Sequence, residues 1–132
     1  MARRSPRTRT LPSLCPCGGG AYSSCCGPLH DGKAAADPET LMRSRFSAYA
    51  LDNSDYVLAT WHPETRPQSI GTESGLRWTR LEVVDHSGGG VFDAEGTVEF
   101  RAHYVDGGRP GVLAEKSRFV RHDGRWVYQG EL

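Results

Sequence analysis

Residues 91–105 read VFDAEGTVEFRAHYV, and two kinds of side chain alternate along them. Phe92, Ala94, Val98, Phe100, Ala102 and Tyr104 share one parity; Asp93, Glu95, Thr97, Glu99, Arg101 and His103 share the other. Successive side chains of a strand point to opposite faces, so the pattern predicts a long half-buried β-strand. Gly96 interrupts the apolar series and is expected to mark a bend or bulge. An apolar sheet face needs a cover, and a bent strand curves its sheet around that cover.

The flanks supply the remaining strands. WTRLEVVD (78–85) also has period two, and the glycines at 88–90 turn the chain back. VLAEKSRFVRH (112–122) and RWVYQGEL (125–132) are joined by Asp123-Gly124, a strong hairpin signal. Upstream the period lengthens. Asp37 is a good N-cap, Pro38 suits the first helical position, and Leu41, Met42, Phe46 and Tyr49 recur at helical spacing to about Leu51. Arg43 and Arg45 read as a solvated or salt-bridged flank of this helix. Ser54 is the expected cap of a second, shorter helix that ends before His62-Pro63. Two helices followed by an antiparallel meander of about four strands make an α+β arrangement.

Composition bounds the rest. The 132 residues total 14.5 kDa, with three Trp, five Tyr and four Phe, enough for one core without disulfides. Net charge is zero, which argues against a wholly basic nucleic-acid binder. The charge is uneven, since Arg3, Arg4, Arg7 and Arg9 crowd the first ten residues with no acid among them. Residues 1–12 are expected to be a disordered basic tail, able to contact RNA weakly. No secretory signal and no membrane span are expected, and the chain reads as cytoplasmic.

All four cysteines lie in CPCGGGAYSSCC, residues 15–26. Disulfides among them would close short loops, remove little unfolded-state entropy and be disfavoured in a reducing cytosol. Two close pairs separated by GGGAYSS suit a metal better. Folding the glycine loop back lets Cys15, Cys17, Cys25 and Cys26 form a closed tetrahedral site of the structural zinc type. His30 is near enough in sequence to replace one cysteine, and thiolates accept iron as well as zinc. Free reactive thiols or a redox pair are the other readings. A filled site of this kind contributes roughly 10–16 kcal/mol of apparent binding energy to folding the loop.

CPCGGG…CCG resembles the SEC-C motif, the small metal knuckle at the C-terminus of the SecA translocase. Helices followed by a curved meander resemble the nuclear transport factor 2-like cone, also called SnoaL-like. The segments CPCGGGAYSSCCGPL, DPETLMRSRFSAYALDNSDYVLATWHPETRP and EKSRFVRHDGRWVYQG, in that order, are similar to the YchJ family of bacterial proteins. The resemblance implies a SEC-C zinc knuckle and linker over 13–33. It implies a cone-shaped α+β domain over 34–132, its curved antiparallel sheet packed on N-terminal helices.

Three functions follow as expectations. The first is an adaptor or binding protein whose knuckle docks on a protein or ribosomal partner, as the SecA knuckle contacts an export chaperone and the ribosome. The cone would offer a small-molecule pocket or a dimer face. The second is an enzyme of the isomerase or dehydratase type, with Trp61, His62, Trp78, Glu99, Arg101, His103, Glu115 and Tyr128 as raw material for a pocket and no residue assigned as catalytic. Simpler readings stand beside it: core packing for Trp61, Trp78 and Trp126, helix termination for His62, and an exposed face with cross-strand ion pairs for Glu99, Arg101 and His103. The third is nucleic-acid recognition, with Tyr22 stacking beside the basic tail.

Overall fold

The structure is a computed structural model that describes residues 11–71 and 75–132. The basic tail expected over residues 1–12 therefore lies outside the described residues except for its last two. A 3₁₀ turn (Tyr22–Ser24) leads into a short helix α1 (Cys26–His30), followed by α2 (Pro38–Ala50) and α3 (Ser54–Ala59). Four strands follow: β1 (Leu76–Gly88), β2 (Glu95–Asp106), β3 (Arg109–His122) and β4 (Arg125–Glu131). They pair antiparallel in the order β1-β2-β3-β4, the expected meander.

α2 begins where the sequence places it. The Asp37 carboxylate accepts the Thr40 N–H at 2.7 Å, and Pro38 fills the first turn. α3 is capped one residue earlier than expected. The side chain of Asn53 accepts the Tyr56 N–H at 3.2 Å, and Ser54 is already helical. α1, over CGPLH, was not foreseen, because five residues carry too little periodicity to be read.

The apolar parity of β2 faces α2. Val98, Phe100 and Ala102 are buried, and they form one core with Leu41, Met42, Phe46, Leu81, Phe119 and Trp126. Each such large side chain contributes roughly 1.5–3 kcal/mol by leaving water. The pattern fails at its start. Phe92 is 99% exposed, and Ala94 is exposed too. Gly88 and Gly89 take φ of 67° and 79°, and the Asp93 carboxylate accepts the Gly90 N–H at 2.9 Å. This turn carries residues 91–94 off the sheet, so β2 starts at Glu95.

Gly96 is not a bulge, since β2 pairs with β3 without a break in register. It is a point of close approach. A Cβ there would lie 2.8 Å from the Gly89 nitrogen and 3.0 Å from Pro38 Cγ, so the first turn of α2 rests on bare backbone. The irregularities fall instead on β1, between Trp78 and Arg80 and between Val83 and Asp85, and in the β3–β4 pair, where the partners of Arg118 and Phe119 are Gly130 and Tyr128. Bulges bend the strand that carries them, so the sheet bends at these positions on its two outer strands and not at Gly96. Residues 60–62 then add to the far edge: Tyr128 N–H donates to the Thr60 carbonyl and His62 N–H to the Tyr128 carbonyl, both at 2.8 Å. No helix among the described residues is long and apolar enough to cross a membrane.

Candidate metal centre and adjoining cavity

The cysteine loop closes as a small hairpin. Leu14 bridges Ala21, Cys15 N–H donates to the Gly20 carbonyl at 2.7 Å, and Tyr22 N–H donates to the Ser13 carbonyl at 3.0 Å. The Sγ atoms of Cys15, Cys17, Cys25 and Cys26 all lie within 4.8 Å of one another. A tetrahedral ion with metal–sulfur bonds of about 2.3 Å requires sulfurs about 3.8 Å apart. The Cys17–Cys25, Cys17–Cys26 and Cys25–Cys26 separations are 3.5, 3.7 and 4.0 Å. The donor set and its spacing therefore fit one thiophilic cation, with no corner left for substrate. Gly19 is obligatory here, because a Cβ would sit 2.7 Å from Cys25 Sγ.

The sulfurs are electrostatically unequal. Hydrogen bonding from Cys26, then from Cys25, Gly19 N–H and Cys15, outweighs burial and lowers the Cys17 pKa to about 5. Burial, then the neighbouring Cys17, pushes Cys25 up to about 11. Cys26 moves upward as well, chiefly through its hydrogen bond with Cys17. Four thiolates cannot share this space by themselves, and a cation that replaces the shared protons resolves the conflict.

The loop is fastened to α2. Ser47 Oγ lies 3.3 Å from both Cys15 Sγ and Cys26 Sγ, and Arg43 Nη1 donates to the Cys17 carbonyl at 3.3 Å. His30 continues the attachment, with Nε2 2.9 Å from the Ser44 carbonyl and Nδ1 2.7 Å from the Tyr22 hydroxyl. A carbonyl only accepts, so Nε2 carries the proton and Nδ1 accepts from tyrosine. His30 is thus a brace for the knuckle, and the four sulfurs form the metal-ligand cluster without it.

On the other side of α2 lies a cavity of about 270 Å³ between the helix and the inner sheet face. Arg45, Tyr49, Trp61, Trp78, Glu115 and Tyr128 reach its wall. Arg45 is only 3% exposed, which overturns its reading as a solvated flank. Its Nη1 donates to the Val57 carbonyl and Thr60 Oγ1, both at 2.8 Å, and its guanidinium lies 5.0 Å from the Trp61 ring centre and 4.5 Å from that of Tyr128. Burial lowers its pKa, and the surrounding tyrosines and Glu115 oppose that shift. Glu115 Oε2 accepts from the Tyr128 hydroxyl at 2.8 Å and from Ser117 Oγ. Burial, then Glu115, pushes the Tyr128 phenol upward.

Knuckle, helix and sheet together have known counterparts. Residues 37–130 match the family described as "YchJ, middle NTF2-like domain". The chain belongs to the YchJ family. A UPF0225 protein of Streptomyces coelicolor is 50% identical over 116 residues, covering 86% of this chain and 90% of its own. One from Xanthomonas campestris is 50% identical over 128 residues, covering 94% and 96%. The solution structure of a SEC-C motif containing protein from Rhodopseudomonas palustris superposes with a TM-score of 0.77 at 37% identity, covering 90% of this chain and 97% of that one. A crystal structure of a SEC-C motif containing protein from Psychrobacter arcticus gives 0.73 at 26% identity, covering 88% and 80%. The YchJ family match covers the NTF2-like domain, and the cysteine cluster lies before it in the chain.

Of the eight pocket residues proposed from sequence, Trp61, Trp78, Glu115 and Tyr128 meet at the cavity. The others sit elsewhere. His62 accepts the Glu64 N–H at Nδ1 and stacks near His122, with ring centres 4.9 Å apart. Arg101 and His103 lie 3.9 and 3.4 Å from Glu82 across the β1–β2 pair, and Glu99 faces solvent opposite Asp85. Sequence reasoning missed Arg45, Ser47 and the bracing role of His30. For Ser47 a signal existed: Ser44 and Ser47 stand one turn apart and are wholly buried, and a small hydroxyl inside a helix needs a neighbour to bond.

Proposed function

We propose that this chain is a zinc-stabilised binding protein whose knuckle docks on a protein or ribosomal partner. One observation carries the reading. The four sulfurs leave no open coordination position, so the ion shapes a surface and does not bind substrate. That surface presents Leu14, bridged to Ala21 on the hairpin, at 73% exposure, an apolar side chain that folding by itself does not need there. Zinc suits a redox-inert structural role, and reduced thiols suit a cytoplasmic setting.

The test separates ion from surface. Protein purified without added metal should carry one zinc per chain by elemental analysis. The wild-type chain should co-sediment with ribosomes or a ribosome-bound protein, and Leu14→Asp should abolish this while keeping its zinc. Iron in place of zinc would overturn the assignment of the ion. Equal sedimentation of Leu14→Asp and wild type, or none by either, would overturn the docking reading.

A further inference from the structure

The cavity carries two opposite charges that feel each other's field but form no direct ion pair among the described residues. Arg45 has no carboxylate within 4.0 Å among the described residues. Glu115 spends one oxygen on the hydroxyls of Tyr128 and Ser117. Both reach the same 270 Å³ space, whose remaining wall is apolar and aromatic, including Phe46, Phe100, Leu113 and Trp78. The fold uses Nη1 of this guanidinium to tie α2 to Val57 and Thr60, yet a nearly buried cation without a direct carboxylate partner still carries a desolvation cost that a ligand acceptor would offset.

We propose that this cavity binds a small, uncharged, ring-containing molecule that turns a hydrogen-bond acceptor toward Arg45 and a donor toward Glu115. The size follows from volume. A cavity of roughly 150 Å³ accepts benzene, so about 270 Å³ accepts one or two rings with short substituents. Tyr49, Trp61, Trp78 and Tyr128 offer faces and edges on which such a ring packs.

Neutrality follows from the paired charges. A carboxylate ligand would be attracted by Arg45, repelled by Glu115, and would lose part of its hydration on entering. An ammonium ligand meets the reverse conflict with the same cost. A neutral group with a donor and an acceptor, such as a primary or cyclic amide, lies along the field between the two residues. It gains at both ends and loses little hydration. This reading is independent of the docking surface at the knuckle, which lies across α2.

Four probes that share one ring separate these cases: benzamide, toluene, benzoate and benzylammonium. The indole N–H resonances of Trp61 and Trp78 report on the cavity, and that of Trp126, which is not part of its wall, serves as the internal control. Benzamide should shift Trp61 and Trp78 and bind about tenfold or more tighter than the other three, the worth of one hydrogen bond to a charged group. In Glu115→Gln the hydroxyl partners keep an acceptor, and Arg45 is left without its counter-field. Benzoate should then gain about tenfold relative to benzamide. The proposal is overturned if benzoate or benzylammonium binds tightest in wild type, or if toluene equals benzamide. It is also overturned if the shifts centre on Trp126, or if no probe shifts Trp61 and Trp78 by about 10 mM. An unchanged ranking in Glu115→Gln overturns the role of the paired charges. Should that variant fold poorly, the wild-type ranking is decisive alone.

Discussion

Two faces of α2 carry buried polarity in different ways. Toward the knuckle, Ser47 and Arg43 meet the sulfurs and the Cys17 carbonyl directly. Toward the cavity, Arg45 and Glu115 share a space without touching each other. The first arrangement is closed and its energy is realised on folding, once an ion joins the four sulfurs. The second is open and leaves interactions to be completed. A closed polar cluster stabilises a fold, whereas an open one costs stability unless something fills it.

The strongest way to break this comparison is to remove a ligand from the closed side. Cys17→Ser should lose the metal and with it a binding energy on the order of 10 kcal/mol, comparable to the whole stability of an ordinary domain. Cys15, Cys17, Tyr22 and Cys26 belong to the same core as Leu41 and Phe46, so the damage should spread past the knuckle. Calorimetry should show a fall in melting temperature of at least about 10 °C, with elemental analysis showing no bound metal. A metal-free variant that melts within a few degrees of wild type would show that the closed side does not support the fold. Acidification should act in the same direction, because each thiolate released by the ion takes up a proton as the pH falls.

On the open side, Arg45→Ala comes next. It removes two charge-assisted hydrogen bonds to Val57 and Thr60 and the guanidinium packing against Trp61 and Tyr128. Relief of desolvation offsets part of that loss, leaving a cost of about 3 kcal/mol in urea unfolding. A cost below about 1 kcal/mol would mean that the buried charge and its partners nearly cancel, widening the contrast between the two faces.

How much of this was legible varies with the range of the interaction. The strand order, the start of α2 and the four sulfur ligands are written in local pattern: period two, an Asp-Pro cap, and cysteines spaced around glycines. Glu115 was half legible, because it shares parity with Leu113, Ser117 and Phe119, so a charge stands on the apolar face of β3. Arg45 was not legible. Its burial depends on residues 60–62 returning to pair with Tyr128, a contact across more than half of the domain. Phe92 failed in the opposite sense, since hydrophobic alternation extends into the turn and only the glycines and Asp93 reveal where the sheet ends.

Tyr128→Phe probes the open side more gently. Loss of the 2.8 Å bond to Glu115 should cost about 1–1.5 kcal/mol near neutral pH. Its alkaline behaviour is more diagnostic. Burial and Glu115 raise the folded-state pKa of Tyr128, and burial raises those of Tyr49 and Tyr56. Unfolded tyrosine ionises near pH 10, so the unfolded chain binds fewer protons above that point and stability falls as pH rises. Without Tyr128 that fall should be shallower by one titrating group. Identical alkaline slopes would show that its phenol is not held in the neutral form by folding.

The smallest effect is expected two residues from Arg45, at Arg43, on the closed side. Its guanidinium pairs with Glu39 at 3.0 Å one turn earlier and reaches the Cys17 carbonyl at 3.3 Å, with both charged side chains about one-third exposed. Exposed pairs of this kind contribute about 0–1 kcal/mol, because water and salt screen the charges and two long side chains must be held still. Arg43→Ala should therefore move the melting temperature by only about 1–4 °C and leave the metal stoichiometry unchanged. The neighbouring arginines would then differ several-fold in cost although they occupy one helix and carry one charge, the difference arising from burial. A larger loss in Arg43→Ala, accompanied by faster release of the ion to a chelator, would assign the Cys17 carbonyl contact a direct part in holding the metal loop. It would also make the closed face dependent on a solvent-facing charge, which its four sulfurs and Ser47 otherwise make unnecessary.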